Sequence, residues 1–477
     1  MSTRAALVYS FLDRYSGLFI HTASSIVLAR LLTPAEIGVY SVTMVALGFL
    51  ATFRDLGASQ FLVREPDLTS QKIRAAWAVQ LGLALAFSAL IAGIGIPAAD
   101  FYREPRMAGI MYVVALNFAI TPFLAMPIAW LTRQMRFGAI ASTRFAGAVA
   151  HASVAIGLAL ADLGPISLAF ANLASTAVGI LVVALVGNVK FPKMPTLVGV
   201  RRVLSFGGQL TIVSLLDTMA RGAPELFLGK LQGMADAGLF SRGQGLVAMF
   251  ERLVMEAVNP VAMSLFAKQT RDGENVAGSF LHAAALVTVL AWSFFASVGV
   301  LAYPAVHVLY GDQWDNAVDS TRWLAAAMAL GIPGSICIVP LIAGGHVTRV
   351  LTAAALWAGV EIAAAGIGAV FGLLQLTQLL LPAAAISTTI WLTLAQRQFG
   401  FAWMQLARVF AGSAMVAAAT TATPLVVSLV LGWRSPEIWT TLVICLPGAL
   451  FGFVASAYLT RHLIWSEIVR LVPVRLR

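Results

Sequence analysis

Residues 75–97 read AAWAVQLGLALAFSALIAGIGIP, a run without a single charged side chain. An α-helix of about 20 apolar residues crosses the roughly 30 Å hydrocarbon core of a bilayer. Similar stretches rich in Leu, Ala and Val recur along all 477 residues. Because only helices and closed barrels can span lipid, this pattern predicts a polytopic all-α integral membrane protein.

The composition supports this interpretation. Hydrophobic residues make up 60% of the chain and charged residues only 11%, against about 25% charged residues in soluble domains. The net charge of +10 follows from basic cytoplasmic loops and requires no nucleic acid partner. Cys337 and Cys445 lie within apolar stretches and form no CxxC pair. We therefore expect neither a disulfide framework nor a metal site, and no cofactor.

Charges, prolines and glycines divide the chain into fourteen candidate transmembrane spans. These are residues 6–31, 37–53, 75–97, 108–130, 145–162, 165–186, 204–228, 237–266, 280–303, 320–342, 351–373, 378–394, 409–431 and 439–459.

The distribution of Lys and Arg predicts the orientation. An even number of spans places both termini on one side. Most loop Lys and Arg residues then fall on the side of the termini, including Arg133, Arg136 and Arg144, all assigned to one loop. The positive-inside rule makes that side cytoplasmic. The loops on the opposite side contain only Arg103, Arg106, Lys230 and Arg434.

The loops also restrict the function. They are short, so they contain no extramembrane catalytic domain, and no GxxxxGK[ST] phosphate loop is present. We therefore expect a protein that is not an enzyme and whose work takes place within the bilayer.

An internal repeat is visible at an offset of 200 residues. The segment 28–41, LARLLTPAEIGVYS, aligns without a gap with the segment 228–241, LGKLQGMADAGLFS. Each copy lies at the junction of the first two helices of a six-helix unit. Two parallel lobes are expected, residues 1–190 and 200–395, followed by a third segment, residues 405–477, with two more helices and a basic tail.

Proline residues interrupt the fourth span of the first lobe and the tenth span, its counterpart in the second lobe. Pairs of interrupted spans at matching places indicate the working site of a transporter, although proline is also common in membrane helices. The hinge candidates are Pro122, Pro127, Pro333 and Pro340.

Polar stripes mark the first, seventh and eighth spans. His21 and Arg14 share one face of the first span with several serines, while Asp217 and Arg221 share a face of the seventh. Pairs spaced by four residues, Asp217 with Arg221 and Arg252 with Glu256, could neutralise each other and serve only to pack helices. The alternative is a water-filled cavity with a basic surplus, to which the in-span arginines contribute. They are Arg14, Arg30, Arg221, Arg242, Arg252 and Arg322.

A basic cavity suits an anionic cargo, because Arg binds phosphate oxygens through two parallel donors. Glu361 stands alone on the eleventh span without an obvious local partner. It is either protonated in an apolar environment or carries the coupling ion. The other candidates for ion coupling are Asp13, Asp217 and Glu256.

Four motifs resemble the polysaccharide or O-antigen flippases, a family within the superfamily of multidrug exporters and lipid II flippases. They are Ala29–Tyr40 (ARLLTPAEIGVY), Arg54–Gly57 (RDLG), Gly238–Arg242 (GLFSR) and Gly311–Trp314 (GDQW).

The resemblance implies a V-shaped, two-lobe transporter that moves an undecaprenyl-diphosphate-linked oligosaccharide across the inner membrane by ion-coupled alternating access. Arg14, Arg54 and Arg252 occupy places comparable to the diphosphate-binding arginines of lipid II flippases. The expected partners are the lipid-linked oligosaccharide, membrane lipid, a polysaccharide polymerase and a chain-length regulator. The alternatives are a lipid II flippase, a drug or cation antiporter, a membrane glycosyltransferase or polymerase, and a scramblase-like or structural protein.

Overall fold

The computed structural model describes residues 17, 19–54, 58–187, 195, 196, 200, 208–435 and 437–471. Across these residues the regular structure is helical. The first helices are α1 (Phe19–Leu31), α2 (Pro34–Arg54), α3 (Ala58–Arg64), α4 (Ser70–Tyr102), α5 (Arg106–Ile120), α6 (Pro122–Arg133), α7 (Phe137–Leu160) and α8 (Ile166–Gly187).

The following helices include one π-helix and one 3-10 segment. They are α9 (Gly208–Leu231), α10 (Met234–Val247), the π-helix Glu251–Met255, α11 (Glu256–Asp272), α12 (Val276–Val300), α13 (Ala302–Tyr310), the 3-10 segment Asp312–Ala317, α14 (Val318–Ala343), α15 (Val347–Phe371), α16 (Leu373–Phe399), α17 (Trp403–Leu431), α18 (Ile438–Leu459) and α19 (Leu463–Leu471).

Within the described residues, 10 helices are long and apolar enough to span a membrane, or 11 if the bent pair α5 and α6 forms one span. These correspond to predicted spans, so the all-α membrane class is confirmed. The other three predicted spans, 6–31, 204–228 and 237–266, contain the polar stripes and correspond to α1, α9 and the segmented α10–α11 region. The count of fourteen stays a prediction.

The start of α2 is a helix N-terminus that residues of its own sequence cap. Thr33 donates its backbone N–H and its hydroxyl to Glu36 Oε2 at 2.8 and 2.9 Å, and Glu36 N–H donates back to Thr33 Oγ1 at 3.3 Å. This is a capping box, and Pro34 has the fixed φ suited to the first helical position. The TPAE motif therefore begins a helix.

The chain forms two compact units by backbone contacts. The first comprises Met1–Thr218 and Gly233–Gly238, and the second Met219–Gln232 and Leu239–Arg477. The three-part division expected from the sequence stays a prediction.

Within the first unit, the starts of α2 and α10 cross with their backbones in direct contact. A Cβ added to Gly38 would overlap the Met234 carbonyl and lie 2.9 Å from Gly238 N. A Cβ added to Gly238 would overlap the Pro34 carbonyl and lie 3.0 Å from Gly38 N. Each copy of the repeat therefore makes the same contact, at the offset of 200 found in the sequence.

The two proline-containing spans differ in shape, since one bends and the other is a continuous helix. Between α5 and α6 the chain bends by 42°, and Pro122 begins the second segment. Helix α14 instead contains both Pro333 and Pro340 and continues without a break from Val318 to Ala343.

Neighbouring helices explain why α14 continues. Pro333 has no N–H, so it leaves the Ala329 carbonyl four residues earlier without its helical donor. Trp292 Nε1–H of α12 donates to that carbonyl at 2.8 Å, and Thr388 of α16 donates its hydroxyl to the Leu330 carbonyl at 2.5 Å. The Trp292 side chain thus supplies the donor that Pro333 removes, as membrane helices require, and Thr388 adds a second bond in the same turn.

Candidate functional site

The first unit contains a polar cavity of about 330 Å³ between α1, α6, α7 and α8. Seven of its twelve lining residues are polar or basic, and small residues among the others let the helices approach closely. The lining residues are His21, Ser24, Leu124, Ile128, Thr143, Arg144, Gly147, Ala148, His151, Asn172, Ser175 and Gly179.

Two histidines face each other across this cavity. The ring centroids of His21 and His151 lie 5.3 Å apart with the planes tilted by 47°. His21, predicted to line the substrate cavity, lines this one, and its contact with substrate stays a prediction. His151 lines the cavity as well.

Arg144 corrects a sequence-based assignment. It was predicted to lie in a cytoplasmic loop before a span beginning at residue 145. Helix α7 in fact begins at Phe137, so Arg144 lies two turns inside the helix and lines the cavity. The polar segment before residue 145 concealed the helix start, because a hydropathy pattern detects only the apolar part of a span.

In the second unit, Arg221 of α9 pairs with Glu251 at the start of the π-helix. The Nη1 to Oε2 distance is 3.1 Å, and the side chains are 43% and 52% exposed. The pair expected from the sequence spacing was Asp217 with Arg221, and Glu251 was not recognised. Single-turn π-helices inside α-helices are frequent at functional sites.

Glu361 of α15 belongs to the same cluster. Its carboxyl group is hydrogen-bonded to the Trp357 side chain and lies within the electrostatic influence of Arg221. The expectation that Glu361 lacks a local partner is therefore wrong. Trp357 precedes Glu361 by one helical turn, so their i,i+4 spacing was a signal available in the sequence.

The remaining predicted residues divide into two groups. Arg14 and Asp13 lie outside the described residues, and Arg54 ends α2 with a side chain that the structure does not describe.

The others lie on polar helices: Arg30 is exposed near the end of α1, Asp217 lies on α9, Arg252 within the π-helix, and Glu256 at the start of α11. Their roles in transport stay predictions.

Two of the in-span arginines make packing contacts in the second unit. The Arg242 guanidinium carbon lies 5.8 Å from the Tyr310 ring centroid and 5.7 Å from that of Trp314. Trp314 is fully buried. The GLFSR and GDQW motifs therefore meet in a cation–π contact. Arg242 thus contacts two aromatic rings, and its contribution to a basic cavity stays a prediction.

Arg322 is the second such arginine. Its Nη1 donates to Asp319 Oδ1 at 2.9 Å, and its guanidinium carbon lies 5.1 Å from the Trp433 ring centroid. Arg434 contacts the other oxygen of Asp319 at 3.3 Å. This cluster connects the start of α14 to the segment after α17, so Arg322 also makes structural contacts.

Solved structures show the same fold. The structure titled lipid II flippase MurJ, inward closed conformation, is 12% identical and matches with a TM-score of 0.77 over 97% of this chain and 100% of its own. An inward-facing multidrug resistance MATE family transporter of the MOP superfamily is 14% identical, with a TM-score of 0.64 over 83% and 98% of the two chains. The MATE-like fold expected from the sequence is confirmed.

Curated relatives lie in polysaccharide biosynthesis. The succinoglycan biosynthesis transport protein ExoT of Rhizobium meliloti (strain 1021) is 23% identical over 65% of this chain and 63% of its own. The lipopolysaccharide biosynthesis protein WzxC of Escherichia coli (strain K12) is 20% identical over 65% and 63%. The match thus covers slightly less than two thirds of each relative.

The family model described as "Polysaccharide biosynthesis protein" matches residues 27–319. That range includes the repeat, the Arg221–Glu251 pair and the cavity residues on α6, α7 and α8, and it exceeds half of the 477 residues. The resemblance seen in the motifs is thereby confirmed, and the chain belongs to the polysaccharide biosynthesis protein family.

Proposed function

We propose that this multi-pass membrane protein is a flippase that moves an undecaprenyl-diphosphate-linked oligosaccharide from the cytoplasmic to the outer leaflet of a bacterial inner membrane. The observation that carries the proposal is the presence of charged and polar side chains within the helices of a transporter fold. Charged and hydrogen-bonding groups line a cavity in the first unit and form the Arg221–Glu251–Glu361 cluster in the second. Ionisable groups at membrane depth are costly, and they occur where polar cargo or ions pass.

The family membership supports a saccharide cargo. Relatives named for succinoglycan transport and lipopolysaccharide biosynthesis share about two thirds of the chain. A lipid-linked saccharide combines a lipid tail, which stays in the bilayer, with a polar head, which needs a polar route. The cavity and the charge cluster provide groups for such a head.

The mechanism that suits this arrangement is alternating access driven by an ion gradient. An ion can bias the inward- and outward-open states only by its differential affinity for them. Glu361 is the foremost candidate for the group that binds the ion, because it is a carboxylic acid on an otherwise apolar span and interacts electrostatically with Arg221. A polymerase and a chain-length regulator would then receive the translocated unit.

The test is reconstitution of the full chain into vesicles containing a lipid-linked oligosaccharide labelled on its sugar. We expect translocation that an impermeant glycosidase or lectin detects on the opposite leaflet. Protein-free vesicles, and vesicles with an unrelated membrane protein, are the controls. The proposal fails if the labelled lipid stays on its original leaflet while fluorescent cations are expelled, which is the behaviour of a cation exporter.

A further inference from the structure

His462 ends one helix and begins the next. Its backbone N–H donates to the Ala457 carbonyl at 3.0 Å, and Arg461, one residue earlier, has a left-handed φ of 50°. This is the Schellman ending of a helix, here α18. The His462 carbonyl then accepts from Trp465 N–H at 2.9 Å at the start of α19. His462 therefore joins the last turn of α18 to the first turn of α19.

The imidazole ring of His462 caps α19. Ile464 N–H donates to His462 Nδ1 at 3.2 Å, in the way that a capping oxygen accepts from the second residue of a helix. A backbone N–H can only donate, so Nδ1 is an unprotonated acceptor. In a neutral imidazole the single proton then lies on Nε2. This contact thus defines both the charge and the tautomer of His462.

The other ring nitrogen bonds to neighbouring helices of the second unit. His462 Nε2 lies 3.4 Å from Ser413 Oγ of α17, and in this tautomer the ring is the donor. Ser413 Oγ lies 2.8 Å from Thr288 Oγ1 of α12, whereas the Ala285 carbonyl is a more distant acceptor at 3.5 Å. Thr288 donates its own proton to the Ala284 carbonyl at 2.6 Å, so Ser413 is the donor between the two hydroxyls. A directed chain of hydrogen bonds therefore runs from His462 through α17 to α12.

This chain is shielded from water. Thr288 and Ser413 are fully buried, and His462 is only 9% exposed. The ring lies against Gly412, where an added Cβ would be 3.5 Å from His462 Cδ2. Since water has little access, a donor or acceptor that loses its partner here stays unsatisfied, which is costly.

No carboxylate compensates a positive charge on His462. Within the described residues, the ring is hydrogen-bonded only to Ser413 and to Ile464 N–H. Burial lowers the pKa of His462 below its usual value. The elements packed around the ring contain few charged or titratable groups. They are Arg461 in the turn, Cys445 and Tyr458 on α18, Arg408 on α17, His282 on α12, and Glu467 and Arg470 on α19, which pair with each other.

We propose that His462 is a pH-sensitive latch, whose neutral ring holds α19 against α12 and α18 and whose protonation on Nδ1 releases α19. A protonated imidazole has two N–H donors and no acceptor. It would point a donor at Ile464 N–H and bury a charge that no carboxylate offsets. Helix α19 would then lose its cap, and α18 and α19 would lose their shared link to Ser413. This proposal does not depend on the cargo of the transporter.

The sign of the pH dependence follows from the docked and released states of α19. In the docked state, burial lowers the pKa of His462, and in the released state the pKa returns to about 6.5. The released state therefore binds the proton more readily. Docking is complete above about pH 6.5 and weakens as the pH falls below that value. On the predicted topology α19 is cytoplasmic, so the latch would respond to the pH of the cytoplasm.

Hydrogen exchange of the full chain in nanodiscs, measured by mass spectrometry at pH 7.5 and pH 5.5, tests the latch. Rates are corrected for the intrinsic effect of pH on amide exchange. The amides of residues 463–471 should be protected at pH 7.5 and lose protection several-fold at pH 5.5. About tenfold is the limit for one group with a pKa of about 6.5 in the released state. Equal protection at the two pH values, or no protection at pH 7.5, would overturn the proposal.

Two histidine substitutions separate the proton from the packing. His462→Asn keeps a good capping acceptor but has no group that titrates, so α19 should stay protected at both pH values. His282→Asn, at an exposed histidine of α12, is the matched control and should lose protection on acidification as the wild type does. If His462→Asn loses as much protection as the wild type, the pH response arises elsewhere and the latch is refuted.

A third variant tests the chain of hydrogen bonds. Ser413→Ala removes the acceptor of His462 Nε2–H, so protection of α19 should fall a few-fold at pH 7.5. Protection should fall further at pH 5.5, because His462 can still take up a proton. Protection equal to the wild type at pH 7.5 would show that Ser413 does not hold the ring, and the proposed latch would fail.

Discussion

Gly38 and Gly238 contact each other through their backbones. Each occupies space that a side chain at the other position would need. The ideal Cβ positions fall 2.9 Å and 3.0 Å from the backbone nitrogen of the opposite glycine, and each overlaps a carbonyl one turn earlier in the opposite helix. Backbone atoms cannot move aside as a flexible side chain can. The crossing of α2 and α10 therefore depends on both glycines.

We expect Gly38→Ala and Gly238→Ala each to destabilise the protein by about 1–3 kcal/mol or more, the cost of overpacking a tight contact. Thermal unfolding of the detergent-purified protein measures the effect. Gly245→Ala on the same helix, α10, is the control, because nothing lies within 4 Å of its Cβ position. Its helix propensity should make it neutral or slightly stabilising. Equal melting temperatures for all three variants would contradict the close crossing.

The Arg242 contact with two aromatic rings predicts a role in stability. Arg242→Gln removes the charge that lies 5.7 Å from the Trp314 centroid, so it should cost up to about 2 kcal/mol. Arg242→Lys should retain part of the stability. Arg349→Gln is the exposed control. If Arg242→Gln abolishes translocation with an unchanged melting temperature, Arg242 belongs to the transport site after all.

The Arg221–Glu251 pair is predicted to contribute to translocation and little to stability. With side chains 43% and 52% exposed, the pair should contribute no more than about 1 kcal/mol to stability. Arg221→Ala should therefore leave the melting temperature nearly unchanged and impair translocation at least tenfold. Arg221→Lys should rescue only partly, because a point charge replaces a two-pronged donor. Arg271→Ala, an exposed arginine at the end of α11, is the control. Wild-type translocation by Arg221→Ala would exclude this residue.

Glu361 is predicted to couple translocation to the ion gradient. Glu361→Gln keeps the shape and a hydrogen-bonding group beside Trp357 but can neither release a proton nor bind a cation by charge. We expect translocation to become independent of an imposed pH or Na⁺ gradient while substrate binding persists. Glu467→Gln, outside the membrane spans and paired with Arg470, is the control. A variant that responds to the gradient as wild type does would make Glu361 a packing residue.

Trp292 is predicted to stabilise the proline-containing helix α14. Trp292→Phe removes the donor to the Ala329 carbonyl and keeps an aromatic ring, so the cost should be about 1–3 kcal/mol for an unsatisfied buried carbonyl. Trp439→Phe, at a side chain 70% exposed, is the control. Equal stability of the two variants would show that the carbonyl finds another donor.

Apolar length and local helix signals were readable from the sequence. A run such as residues 75–97 is long enough to span lipid by itself, and α4 extends through it from Ser70 to Tyr102. The Thr33–Glu36 capping box is likewise a matter of residues three apart. Both depend on neighbours along the chain, so no knowledge of the tertiary structure is needed.

Contacts distant in sequence were not readable in the same way. Arg221 pairs with Glu251 thirty positions away, and a pair so distant in sequence depends on how the helices pack. Arg144 and Asn172 come together through the packing of α7 on α8. The repeat did indicate that residues 38 and 238 are equivalent, but only the structure shows that they touch.

The π-helix at Glu251–Met255 has a further consequence for chain length. Its closing N–H, from Glu256, bonds to Glu251 five residues back, where a regular α-helix would bond four residues back. The turn therefore contains one residue more than an α-helix requires. Removing one residue here would restore an uninterrupted α-helix, whereas a deletion elsewhere in these spans would rotate a packed helix face out of place. This turn is thus a point at which the chain can lose a residue and still form a continuous helix.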